Sequence, residues 1–211
     1  MQHQHSITFI LSGHYRLDDL KNTKNDIILN IADHKEVGFL SKAETEKLIL
    51  EPVKEFAIEY QQGIIDEIFK TTNGHPFFVQ QICNNCIEKL NEHAGKYYIS
   101  DKLLKEAIDF SIDPGSITVL QELWRSAGIH GQAVLKHLSQ KINQNIEWVD
   151  LNILVDKNLV NKGGKGDICT IIEQLEKRQL VITKNTNDDL KLKFAIDLMR
   201  RFIIKHKLRN T

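Results

Sequence analysis

Several things are scarce in this 211-residue sequence, and each scarcity excludes a class of protein. There are three prolines, at 52, 76 and 114, and no low-complexity stretch, so neither a proline-rich spacer nor extensive disorder is expected away from the chain ends. Three cysteines cannot make a disulfide framework, and no secretory leader pattern is visible; the expectation is a reduced, cytoplasmic protein. No apolar run approaches the roughly 20 residues a membrane span needs, which argues against a membrane partner. Charge of either sign is not in excess: 28 basic residues face 28 acidic ones, so no global field points to nucleic acid or to an anionic surface. Internal repeats are absent, and no Ser/His/Asp arrangement is legible. With 41% hydrophobic residues the chain still has enough apolar material for one large domain or two small ones.

The most strongly patterned stretch runs from Thr71 to Asn91. From Phe78 onward, apolar residues fall at 78, 79, 82, 83, 86, 87 and 90, the stripe of a helix buried along one side. Gly74 suits a left-handed residue closing the helix before it. Pro76 suits the first turn of the helix after it, where no amide donor is lost. Gly74-His75-Pro76 therefore breaks two helices apart, with Gln80 and Gln81 one turn downstream. On spacing alone it is a helix–helix corner.

Taken as Ile68-Phe-Lys-Thr-Thr-Asn-Gly-His-Pro-Phe-Phe-Val-Gln-Gln81, the stretch resembles the helical lid of AAA+ ATPases of the STAND type. The resemblance implies that Gly74, His75 and Pro76 face the adenine and ribose of bound ATP. Asn73 stands where that family commonly has a first glycine, a departure a left-handed-tolerant Asn absorbs. Upstream, Ile7-Thr-Phe-Ile-Leu11 reads as a buried parallel strand; by resemblance it is the sensor 1 strand, with His14 and Arg16 on the loop leaving its carboxyl end, where ligands of open α/β sheets gather. The ordinary alternative for His14 and Arg16 is a solvated loop.

Glu36 to Leu40 is expected as a further short strand. Ser41-Lys-Ala-Glu44 spells a capping box opening a helix that stops before Pro52. Helices from Gly63 to Thr72, from Phe78, and from Ser100 to Phe110 come next, so 41–112 reads as a four-helix lid after remnant α/β core strands in 1–40. The turn cluster Asp113-Pro-Gly-Ser116 marks the next boundary. Beyond it, helices are expected near 117–127, 131–142, 148–157 and 167–179. Strand Leu180–Thr183, a polar turn at 185–188, strand Leu190–Phe194 and a closing helix from Ala195 to about Lys207 complete a winged-helix domain over 113–211. Phe194-Ala-Ile-Asp-Leu-Met-Arg-Arg-Phe-Ile203 is similar to the end of that module in STAND-type ATPases. The fold class is thus mainly α, with remnant α/β strands, a helical lid bundle and a winged helix.

Phosphate chemistry needs Gly-x-x-x-x-Gly-Lys-Ser/Thr and an acidic strand end for Mg²⁺ and water. Neither occurs. Gly163-Gly-Lys-Gly166 lacks the spacing and reads as a loop entering a helix capped by Asp167. No catalytic residue is assigned, and ATP or ADP with Mg²⁺ is expected only beside a complete P-loop core, for which this chain resembles the carboxyl-terminal portion. Cys83-Asn-Asn-Cys86 has metal spacing, but it sits mid-helix with only Cys169 besides; buried structural thiols are expected, and no metal. Trp124 and Trp148 are expected as core anchors in helical stripes. Lys191, Lys193, Arg200 and Arg201 form a candidate phosphate footprint for DNA or a partner surface. Glu173 and Glu176 on the presumed reading helix oppose the DNA option. Two functions stay open: a nucleotide-responsive regulatory portion of a STAND-type ATPase, with a P-loop core or another protein as partner, or a winged-helix DNA-binding or adaptor module with no nucleotide role.

Overall fold

A computed structural model describes residues 33, 35, 37–92, 97–113, 118–143, 146–154, 165–186 and 189–208, with 165–167 as backbone only. The chain divides into two units, Met1–Gly38 and Phe39–Thr211, and the second holds every described helix and strand. The sensor-type strand at 7–11, with His14 and Arg16, lies outside the described residues. The described fold is mainly α.

Helix α1 (Lys42–Leu50) starts as its capping box dictates: the Glu44 amide donates to the Ser41 hydroxyl, and the Ser41 amide donates to the Glu44 carboxylate at 2.8 Å. A single 3₁₀ turn at Glu51–Val53 places Pro52 where it loses no hydrogen bond. Strand β1 (Glu59–Tyr60) precedes α2 (Ile64–Thr72), and α3 (Pro76–Asn91) comes at once after it. Strand β2 (Tyr98–Ile99) pairs with β1 in parallel and leads into α4 (Asp101–Ser111). The side chain of Gln61 ties this pair to α4, accepting the Asp101 amide and donating to the Asp101 carboxylate, each at 3.0 Å. Helix α3 is the bundle's central member and packs on α1, α2, α4 and β2.

Its apolar stripe is buried as the spacing predicts at Phe78, Val79, Ile82, Cys86 and Leu90, whereas Cys83 and Ile87 are only half-buried. Asn85 is also buried, which a hydropathy stripe does not anticipate. Its amide donates to Ser111 Oγ at 2.7 Å and to the Ala107 carbonyl, so the pairing of α3 with α4 carries a satisfied polar link inside the core.

The second half contains α5 (Thr118–Ser126), α6 (Gly128–Lys141), β3 (Val149–Asp150), α7 (Leu151–Leu154), α8 (Lys165–Lys177), β4 (Val181–Thr186), β5 (Asp189–Phe194) and α9 (Asp197–His206). The sheet is antiparallel in the order β3-β5-β4. Among the described residues, the order of elements from α6 onward is helix, strand, helix, helix, strand, strand, and then the closing helix.

Several expectations shift. Residues 37–40 form no strand; the Leu40 amide is instead taken by the Gly74 carbonyl at 2.9 Å. Where a helix is expected from 148, the chain makes the short strand β3 first and turns helical only at Leu151. Trp148 is therefore not in a helical stripe; it is half-buried, with Lys193 Nζ 4.9 Å from its ring centroid. Trp124, on α5, is the buried anchor expected. Helix α8 begins at Lys165, so Asp167 lies within its first turn rather than capping it. It ends at Lys177 because Gln179 adopts a left-handed conformation, φ 55°. The hairpin stays paired to Thr186 and Asp189, so its strands take in Asn185 and Thr186, which the sequence places in the polar turn.

Candidate functional site

The Gly74 corner is built by a run of local hydrogen bonds. Helix α2 ends when Asn73 turns left-handed (φ 51°), its amide still donating to the Phe69 carbonyl at 2.6 Å. Gly74 comes next at φ 74°, a conformation glycine adopts without steric penalty. The buried Thr72 hydroxyl donates to the Ile68 carbonyl at 2.8 Å and accepts the Gly74 amide at 3.3 Å. His75 is extended (ψ 113°), as a residue before proline must be, and Pro76 opens α3.

Two features give the corner its character. The first is close backbone approach. A Cβ on Gly74 would lie 2.1 Å from the Leu40 carbonyl oxygen and 3.2 Å from the Thr45 hydroxyl of α1. The incoming chain thus docks directly on the corner, bonded through the Leu40 amide. The second is its ring content. The His75 imidazole sits between Phe39, 5.1 Å away between centroids, and Phe78, 4.7 Å away. Phe77 packs edge-on against Phe78 at 5.3 Å and leaves 43% of its surface exposed. Phe78 is buried and Phe39 and His75 are half-buried, so the surface open to stacking on a flat heterocycle is that of Phe77 with parts of Phe39 and His75. Phe39, expected from the sequence in a strand, is a member of this group; only the chain's path past Gly74 reveals it.

The structure does not gather the basic candidates at this corner or leave them free. Lys191 forms an ion pair with Asp150 at 3.2 Å, and Lys193 donates to Glu147 at 2.6 Å. Arg200 and Arg201 both bond Asp197, at 2.5 and 2.8 Å, and Arg201 also reaches Glu67 on α2 at 3.2 Å. Burial pushes the Asp197 carboxyl up, but hydrogen bonds and charge from the two arginines outweigh it and hold the group below its ordinary range. The i, i+3 and i, i+4 spacing of Asp197 to Arg200 and Arg201 was a signal available in sequence. Glu67, 134 positions from Arg201, had none. By contrast Lys177 and Arg178, at the end of α8, and Lys184 on β4 are exposed.

Cys83 and Cys86 lie on α3, one half-buried and one buried, and burial pushes both thiols up to about 12. Among the described residues no group of three or more His, Cys, Asp or Glu side chains is placed to hold a metal ion, and no helix is long and apolar enough to cross a membrane. A scan against protein-family models found no match, and a search of curated proteins also returned none.

Proposed function

We propose that this chain is the nucleotide-responsive regulatory portion of a STAND-type AAA+ ATPase: a helical lid (41–112) joined to a winged-helix unit, working in the cytoplasm against a P-loop core and not hydrolysing ATP by itself. One observation carries the reading. The aromatic corner Phe39, His75, Phe77 and Phe78 lies at the joint where the chain enters the bundle, and Leu40 is bonded to Gly74 there. A planar base seated on that corner would touch both the bundle and its incoming strand of chain. Nucleotide occupancy would then bias their relative position through differential contact. The phosphates and Mg²⁺ are left to the core, in keeping with the missing phosphate loop.

The DNA-binding alternative draws support from the order of elements and the sheet order β3-β5-β4, and from the exposed Lys177, Arg178 and Lys184. Against it, the four cations nominated for phosphate contact are already engaged by the chain's own carboxylates. Electrostatic DNA binding needs free cations to displace counterions.

The test joins a P-loop core ahead of residue 1 and measures binding of a non-hydrolysable ATP analogue. His75→Ala is expected to weaken binding about tenfold, the loss of one good stacking contact, and the chain without the core to show no turnover. Unchanged affinity would overturn the nucleotide reading. Enrichment of one sequence from a randomised duplex pool would favour the DNA reading instead.

A further inference from the structure

The closing helix α9 is bonded to more of the molecule than any neighbour in sequence would suggest. Its apolar face, Leu198, Met199, Phe202 and Ile203, is buried and packs on α6, β5 and α2. Its polar rim reaches the bundle at separate points. Arg201 bonds Glu67 of α2 at 3.2 Å. Lys205 Nζ bonds the Asp113 carboxylate at 2.5 Å and the Asp109 carbonyl at 3.4 Å. His206 Nε2 donates to the Ile112 carbonyl at 2.6 Å, because a carbonyl can only accept. Just past the helix, and within the second half rather than across to the bundle, Lys207 Nζ stands 6.0 Å from the centroid of Trp124 on α5.

These two kinds of contact constrain different things. Apolar burial is non-directional and tolerates sliding of one packed surface over another. Hydrogen-bonded ion pairs have fixed geometry and hold a register. The rim carboxylates are partly solvated, with 42% of the Glu67 side chain and 46% of the Asp113 side chain exposed, so they can be released to water without stranding a buried charge.

We propose that α9 is a shear seam: its apolar face keeps the bundle and the helix–ribbon half together, while the ion pairs at Glu67 and Asp113 latch them in one register and can be unlatched without unfolding. The seam stands independently of nucleotide binding.

The test measures the spread of distances between a spin label on the exposed native Cys169 of α8 and one on Lys105→Cys of α4. Cys83 and Cys86 are poorly reactive because burial holds their thiols at about 12. The double variant Glu67→Gln/Asp113→Asn is expected to broaden the distribution about twofold while the helical circular dichroism signal stays as in the wild type. Wild-type protein in about 1 M salt, where the Debye length falls to about 3 Å, should broaden likewise and recover on dilution. Asp66→Asn, which breaks the exposed Lys42–Asp66 pair inside the bundle, should leave the distribution unchanged. If the double variant does not fold, the salt arm decides. Distributions as narrow as the low-salt wild type in both arms, or equal broadening by Asp66→Asn, would overturn the proposal.

Discussion

Gly74→Ala tests the closest backbone contact in the corner. The substitution adds one methyl group, yet two separate costs are expected. Holding an alanine at φ 74° costs about 1–2 kcal/mol, because Cβ meets the following carbonyl in the left-handed region. The new Cβ would also stand 2.1 Å from the Leu40 carbonyl oxygen, so residues 39–40 must move off. Their displacement breaks the bond from the Leu40 amide to the Gly74 carbonyl, a further ~0.5–1.5 kcal/mol. The total is about 1.5–3.5 kcal/mol, or a fall in melting temperature of roughly 3–14 °C for a unit of this size. Gly63→Ala is the internal control: φ is 88° with nothing within 4 Å of the added Cβ, so only the conformational part should appear. Urea titration of both variants gives the difference, and amide exchange at Leu40 should accelerate in Gly74→Ala alone. Equal losses in the two variants, with Leu40 still protected, would refute the close-approach argument.

Other consequences are open to simpler measurements. Asn85→Ala removes the donor to Ser111 and Ala107 and is expected to destabilise by about 1–3 kcal/mol in chemical denaturation; no change would mean that the buried link contributes nothing. For Asp197, the folded carboxyl is depressed, so its contribution is present above the unfolded value and is lost as pH falls through the folded one. Wild type minus Asp197→Asn should therefore shrink below about pH 4 and be flat near neutrality, and a difference that grows in acid contradicts the assignment. In a thiol assay at neutral pH, Cys169 should react quickly and Cys83 and Cys86 only after unfolding; three fast thiols would sink that reading.

The bundle was legible because its signals are local. A capping box, a Gly-x-Pro break and a 3.6-residue stripe each act within one or two turns, and Ser41, Gly74, Pro76 and the α3 stripe take the positions their chemistry dictates. What failed depended on partners distant in sequence. The run Val37–Leu40 has strand-like residues but finds the Gly74 carbonyl rather than a neighbouring strand. Val149 and Asp150 become a strand because β5 offers them Leu192 and Lys191, a pairing no window around Trp148 could contain. Asn85 looks like a flaw in the stripe until Ser111, 26 positions away, is beside it.

The basic residues carry the same lesson into function. Counted along the chain, Lys191, Lys193, Arg200 and Arg201 make a positive cluster; placed in the fold, each is paired with a carboxylate. A cation already bonded to a carboxylate must give up that bond before it can neutralise a phosphate, so its contribution to DNA affinity is the difference between two pairings. Cations that begin in water give up no such bond. If duplex binding exists at all, it should therefore track the exposed Lys177, Arg178 and Lys184 rather than the clustered four. Binding to a mixed-sequence duplex at about 50 mM salt makes the comparison. Reversing Lys177 and Arg178 to Glu should remove most of the binding and flatten its salt slope by about two ions. Reversing Arg200 and Arg201 should instead lower stability, since it leaves Asp197 and Glu67 facing like charge. The opposite pattern, with affinity lost only in the α9 variant at unchanged melting temperature, would show that the ion pairs of α9 open readily and that its cations are available to a ligand after all.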